Sequence, residues 1–316
     1  MIPLRFLHRS VILALLLLAA ACRDAGGDSA EASPIDRPDF SADSAYAFLH
    51  RQVEFGPRVP GTPGHAAQLA WMKTILERHA DTVVEQTFSH VTRGGDTLGL
   101  TNLFARFAPE KRERVLLVTH WDTRPRSDEA KSKAERALPV PGANDGASGT
   151  AILLQLATMF DRQPPPIGVD LLFVDGEDYG PGEEDMYLGA KFFAAHLPAG
   201  YPPLYGVLLD MVGDQNPRFP MEANSVELAP EVTGRIWALA EQMGYGDIFP
   251  REVGQAISDD HIPLNRAGVR TTDIIDFEYG PGNRFWHTPE DIAANTSAET
   301  LRIVGEVMAE LIYRGG

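Results

Sequence analysis

Cysteine occurs once in 316 residues, at Cys22. A domain that follows it has no internal disulfide and must be held by packing, with or without a metal. Basic side chains are also scarce: 28 Lys and Arg stand against 44 Asp and Glu, a formal charge of −16. A surface of that sign repels phosphate backbones and excludes nucleic acid as a partner. It serves solubility first, and second it draws a cationic peptide amine. The apolar run Val11 to Leu18 falls well short of the ~20 residues that a membrane helix needs. Internal repeats and a second low-complexity linker are lacking, which excludes solenoids and tandem arrays. With 44% apolar and 23% charged residues, the remainder has the make-up of one large globular domain.

The first residues read as an address. Arg5, His8 and Arg9 precede the apolar run, and Ala19-Ala20-Ala21 supply small residues ahead of Cys22, which predicts an export signal over residues 1–22. The placement of Cys22 resembles the lipid-modified cysteine of bacterial lipoproteins, although Ala19 stands where that pattern usually carries Leu, Val or Ile. The expectation is an exported protein of the bacterial cell envelope, membrane-anchored through Cys22, or else periplasmic or secreted; any membrane contact would be through that anchor. Residues 23–39 are rich in Ala, Gly, Ser, Asp and Pro and predict a flexible tether. The folded domain is expected over residues 40–316.

Within that domain, short apolar runs alternate with helical patterns. Strands are predicted at Arg114–Thr119, Val169–Val174, Gly206–Asp210 and Arg270–Ile275. Helices are predicted after Ser41 (closed by Gly56-Pro57) and at Gly64–His79, Gly149–Phe160, Met186–His196, Pro230–Met243 and Ser297–Tyr313. Buried-type strands separated by helices specify the α/β class, as a single three-layer α/β/α domain around a mixed, mainly parallel central sheet. In such folds chemistry gathers beyond the carboxyl ends of the strands.

Acidic and imidazole side chains stand at those ends. The first predicted strand runs into His120-Trp121-Asp122, and its loop returns through Asn144-Asp145-Gly146. The second ends in Asp175-Gly176-Glu177-Asp178, the third in Asp210, and Trp286-His287 follow the last. Carboxylate oxygen and imidazole nitrogen form the donor set of zinc or a similar divalent ion, and a catalytic site needs about three of them plus an open position. Any one of these residues alone is more simply a turn former or helix cap; their convergence on one sheet edge points to a metal site.

The segments THWDTRP (119–125), PGANDGASG (141–149), DGED (175–178), LLDMVGD (208–214), DDHIP (259–263) and WHT (286–288) resemble one superfamily. It comprises the co-catalytic zinc aminopeptidases and the animal-type glutaminyl-peptide cyclotransferases. The likeness extends from about Phe40 to the C-terminus and includes FGPRVPGTPGH (55–65). It implies metal ligation by Asp145, Asp178 and His287, with Glu177 as the catalytic acid/base. His120 and Asp210 match the positions that complete a second zinc site in the aminopeptidases, whereas in the cyclases the match to Asp210 is an acid beside the substrate. Two features favour a cyclase: Trp286 resembles the indole that walls the cyclase pocket, and Asp259 resembles a carboxylate paired with the Asp210 equivalent. Two depart from it: Asp178 stands where the animal enzymes carry the longer glutamate, and residues 179–184 lack their tryptophan.

The resemblance implies one zinc, or two, and peptide or protein N-termini as substrate. The expected reaction is conversion of N-terminal glutamine to pyroglutamate with release of ammonia. The alternative is hydrolytic release of the N-terminal residue, and a non-catalytic binding lipoprotein is the third reading. Among the neighbours, Trp121 is expected to pack, His261 to serve as a structural hydrogen-bonder, Asp122 to orient His120, and Glu183, Glu184 and Asp185 to form a solvated acidic turn.

Overall fold

The computed structural model describes residues 35–201 and 203–316. The export signal, Cys22 and the tether up to residue 34 lie outside the described residues. Ile35 packs against the core and Arg37 Nε donates to Glu310 Oε2 at 2.8 Å, so the folded domain starts ahead of Phe40.

Helix α1 (Ala42–Glu54) begins at the expected cap, where the Ser41 hydroxyl accepts the Ser44 amide at 3.2 Å. Helix α2 (Pro63–His79) is capped by Thr62, with Pro63 at its first turn. Next come β1 (Thr82–Val91), β2 (Thr97–Phe107), β3 (Arg114–His120), α3 (Ala147–Arg162), β4 (Gly168–Val174), α4 (Leu188–Ala195) and β5 (Tyr205–Asp210). The chain closes with α5 (Ala223–Leu228), α6 (Pro230–Gln242), α7 (His261–Arg266), β6 (Thr271–Ile275) and α8 (Ala298–Tyr313).

The six strands form one sheet in the order β1-β2-β4-β3-β5-β6. The β4–β3–β5–β6 pairs are parallel, while β1–β2 and β2–β4 are antiparallel. The sheet is therefore mixed and mainly parallel. The antiparallel β1–β2 hairpin is the part that the apolar runs did not announce.

Side-chain alternation divides the core into two layers. Val115, Leu117, Leu171, Phe173, Val207 and Leu209 face α1, α3 and α8. Leu116, Val118, Leu172, Val174 and Leu208 point the other way, onto Phe193 of α4 and Leu264 of α7. Period-two strands buried on both faces read as continuous apolar runs, which is why these four were legible. Each fully buried Val, Leu or Phe among them contributes ~1.5–3 kcal/mol relative to exposure.

Helix α3 lies unusually close to the sheet. A Cβ on Gly149 would sit 2.3 Å from Thr119 Oγ1 and 2.4 Å from the carbonyl oxygen of Leu209. Only glycine permits that approach, and it brings the start of α3, just after Asp145, down onto the carboxyl ends of β3 and β5.

Candidate metal centre

Each element delivers one piece. Strand β3 ends at His120, β4 is followed within four residues by Glu177 and Asp178, and β5 ends at Asp210. The loop before α3 brings Asp145, the segment before α7 brings Asp259, and the loop beyond β6 brings Trp286 and His287. All of these side chains are largely or wholly buried except Trp286, which is half-exposed at the cavity wall.

Two triads result. Nε2 of His287 lies 3.3 Å from Asp178 Oδ1 and 3.6 Å from Asp145 Oδ2. Nε2 of His120 lies 3.0 Å from Asp210 Oδ1 and 3.2 Å from Asp145 Oδ1. Within each triad the donor atoms lie within 4.8 Å of one another, close enough to hold a metal ion. Asp145 belongs to both.

The charges call for a cation. Burial pushes the carboxyl of Asp145 up, and the neighbouring Asp178 pushes it further. Burial raises Glu177 well above the ordinary range, with Asp178 and Asp260 adding to it. Asp259 is likewise driven well up by burial and by Asp210. Burial also acts upward on Asp178, but His287 and Arg124 outweigh it and hold this carboxyl at about 2. For His120, burial disfavours the charge, yet Asp210, Asp122 and Asp145 prevail and raise it well above 6.5. Asp178 Oδ2 is buried with no hydrogen-bond partner among the described residues. An unpartnered carboxylate oxygen amid crowded acids and two imidazoles fits a divalent ion of the zinc class.

The supporting contacts are mostly ones that the sequence did not disclose. Asp122, expected to orient His120, forms an ion pair with that ring, Oδ1 standing 3.7 Å from Nδ1. Its two oxygens also accept the backbone amides of Glu177 and Asp178, at 3.1 and 3.3 Å. Asp291 accepts the amides of Asn144 and Asp145 at 2.7 and 3.2 Å. Arg58, wholly buried, donates to the carbonyls of Pro141 and Gly142 in the same loop. It lies inside the FGPRVPGTPGH segment, which matched as a block without assigning it a role. Arg124 Nη1 donates to Asp178 Oδ1 at 2.6 Å.

The remaining expectations divide. Trp121 is fully buried and stacks on His65 with centroids 4.3 Å apart, so it packs. His261 is buried outside both triads, 3.2 Å from Glu222 Oε2 as an ion pair, and neither ring nitrogen makes the expected hydrogen bond among the described residues. Glu183 and Glu184 are exposed, but Asp185 is not a solvated turn residue: it accepts from His90 Nε2 at 2.7 Å and from the Arg93 amide. That interaction ties the turn to the β1–β2 hairpin, the element that went unread. Asp259 Oδ1 accepts the amide of Asp260 at 2.5 Å, and the charge of Asp210 bears on the same carboxyl.

The site opens into a cavity of about 590 Å³ whose walls include Trp286, Phe277, Met186 and Tyr187. Trp286 stacks on His287 at 3.9 Å and packs against Phe277 at 4.9 Å. Tyr187 and His287 both adopt positive φ, at 58° and 50°, a conformation that L residues hold only where their surroundings enforce it. The Tyr187 amide donates to the carbonyl of Glu177 at 2.9 Å and its hydroxyl to that of Ser258 at 2.7 Å, joining two rims of the cavity.

The model of peptidase family M28 matches residues 102–312, a span that includes every residue of both triads. The chain belongs to peptidase family M28. Among solved M28-type relatives, a Bacteroides thetaiotaomicron glutaminyl cyclase bound to N-acetylhistamine is 38% identical, with a TM-score of 0.85 over 89% of this chain and all of that one. A leucine aminopeptidase precursor from the same organism is 37% identical, with a TM-score of 0.86 over 90% of this chain and all of that one. Bovine (Bos taurus) glutaminyl-peptide cyclotransferase is 27% identical over 298 residues, covering 79% of this chain and 76% of the relative. The M28 fold thus carries both named activities at nearly equal likeness, and the choice between them rests on the site.

Proposed function

We propose that this M28 chain is a zinc-dependent glutaminyl-peptide cyclotransferase that converts N-terminal glutamine of peptides to pyroglutamate and releases ammonia. The observation that carries this reading is the walled cavity: Glu177, Asp210 and Asp259 face it beside the Asp145–Asp178–His287 triad, and Trp286 stacks over His287.

Asp145, Asp178 and His287 would hold the ion. Zinc in that seat supplies Lewis-acid polarisation of the glutamine side-chain carbonyl. The α-amine of the substrate, with a pKa near ~8, arrives largely protonated. Glu177 accepts its proton, the freed nitrogen bonds to the side-chain carbonyl carbon, and the bond from that carbon to the amide nitrogen breaks; the ring nitrogen gives up its second proton through the same carboxylate, so that ammonia and one proton leave. Glu177 returns the proton to the departing ammonia. Asp210 and Asp259 orient the amine, while Trp286 and Phe277 keep out water, the competing nucleophile. Because ring closure is intramolecular, positioning alone can supply several kcal/mol, with a ceiling of roughly 7–11.

A second reading has its own observation. The His120–Asp145–Asp210 triad can seat a second ion, which supports a metallo-aminopeptidase that hydrolyses N-terminal residues. Trp286, stacked on His287 at the wall of the cavity, favours the first reading. Incubating the purified protein with Gln-peptides and Leu-peptides, with zinc analysis of the same sample, separates the two. Pyroglutamate and ammonia support cyclisation; free leucine with two zincs per chain overturns it. The basic, apolar and small-residue run before Cys22 supports export and lipid attachment. Labelling with a radioactive fatty acid, lost on Cys22→Ala, tests that part.

A further inference from the structure

Beside the catalytic cavity lies a second one of about 250 Å³, and the two share Gln255, Ile257, Ile275 and Phe277 as a common wall. We infer that this cavity takes the second or third residue of the substrate peptide and selects a lysine or arginine there. The inference rests on the reading above only in that a peptide N-terminus occupies the catalytic cavity.

Continuity is the first argument. A substrate whose α-amine and first side chain fill the catalytic cavity must send its remaining residues out across the shared wall. Preorganisation is the second. The segment 252–258 that forms the wall is pinned to the stretch around Met221: the amide of Met221 donates to Glu252 O, and that of Gly254 to Met221 O, both at 2.8 Å. The Ile257 amide donates to Glu222 Oε1 at 2.8 Å, and Asn224 Nδ2 to Ile257 O at 2.7 Å. A groove held this way exists before the ligand arrives and costs little ordering on binding.

The lining fixes the occupant. Pro220, Val253, Ile257, Ile275 and Phe277 provide apolar surface, and Val253 is 61% exposed. Around it stand Glu252 and Glu278, with the buried carboxylates of Glu222 and Asp276 held by backbone amides behind them, against the single cation Arg218. Arg218 pairs with Glu252 at 2.6 Å on the rim, which leaves the field of the cavity negative. A long methylene stem ending in a cation matches this arrangement: the stem lies on the apolar floor and the head meets the exposed carboxylate of Glu278 in the negative field of the others. A glutamate in the same place would meet like charge.

The test compares kcat/KM for Gln-Lys-Ala-amide with Gln-Glu-Ala-amide, and for Gln-Ala-Lys-amide with Gln-Ala-Glu-amide, at low salt. It uses wild type, Glu278→Lys and the control Glu231→Lys, an exposed charge on α6. The expected result is a preference for lysine of roughly three- to tenfold at one of the two positions. Glu278→Lys brings that ratio near unity, and Glu231→Lys leaves it. Equal turnover at both positions overturns the inference, as does an equal loss of preference in Glu231→Lys, which would mean that only overall charge is sensed. Should the products be free N-terminal residues instead of pyroglutamate, the cyclase reading fails on product identity. The cavity is then judged by the same ratio on Leu-Lys and Leu-Glu peptides.

Discussion

Oδ1 of Asp122 accepts the backbone amide of Glu177 at 3.1 Å. Its other oxygen takes the amide of Asp178, so one buried carboxylate fixes the turn that presents both the proposed proton carrier and a proposed ligand. Asp122→Asn keeps the shape but turns an N–H2 toward one of those amides. The expected outcome is a loss of roughly 10–100-fold in activity or metal affinity, read from kcat and a zinc titration. Unchanged kcat and affinity would assign Asp122 to packing alone.

Glu177→Gln keeps volume and removes the proton acceptor. Turnover on Gln-peptides should fall by roughly 10²–10⁴-fold while the circular dichroism spectrum and zinc content stay at wild-type levels. Full activity in this variant sinks the assigned role.

Chelation should abolish turnover and lower Tm, because the buried carboxyls of Asp145, Glu177 and Asp259 then crowd without the charge of an ion. Readdition of zinc at ~1,000 times its Kd restores about 4 kcal/mol of linked stability. A calorimetric scan of stripped and reloaded protein checks both parts; identical scans would contradict a bound ion.

Burial pushes the carboxyl of Asp276 up to about 6, against two backbone hydrogen bonds that act the other way. In the unfolded chain it titrates near ~3.9. The folded state therefore holds the proton more tightly. The associated stability is fully present below pH ~4 and is lost as pH rises through 6. Asp276→Asn cannot ionise, so its Tm should fall less than that of wild type between pH 4 and pH 7. Parallel Tm profiles would show that the group does not contribute.

Gly149→Ala places a methyl group against Thr119 and the Leu209 carbonyl, with an expected loss of about 1–3 kcal/mol in urea unfolding. Gly234→Ala in α6, where a Cβ meets open space, should instead gain roughly 0.5–1 kcal/mol. Equal effects at the two sites would refute the close-approach argument.

The parallel strands were readable because burial on both faces makes β3, β4, β5 and β6 short apolar runs with chemistry at their ends. Strand β1 is different. Residues 82–91 alternate between exposed and half-buried positions on an edge, so Val83, Phe88 and their neighbours form no continuous run. The Gly94-Gly95 turn between two β-rich stretches was the available hairpin signal. Segments α5 and α7 are six residues each, too short for a periodic pattern to declare itself. At the site, residues donating to the triads stood out because His and Asp after a strand are conspicuous. Arg58, Arg124, Tyr187 and Asp291 did not, since their partners are backbone groups or acids up to 147 positions away. Only the folded chain reveals such pairings.

Asp145 turns one oxygen toward His120 and the other toward His287. Two seats thus draw on a single anionic group, and an ion settled in one both uses that group and repels a newcomer to the other. If both seats take zinc, filling is expected to be uneven, tight for the first ion and weak for the next. The stoichiometry of a purified sample would then report the free zinc it last met, with mononuclear and dinuclear preparations as two points on one binding curve.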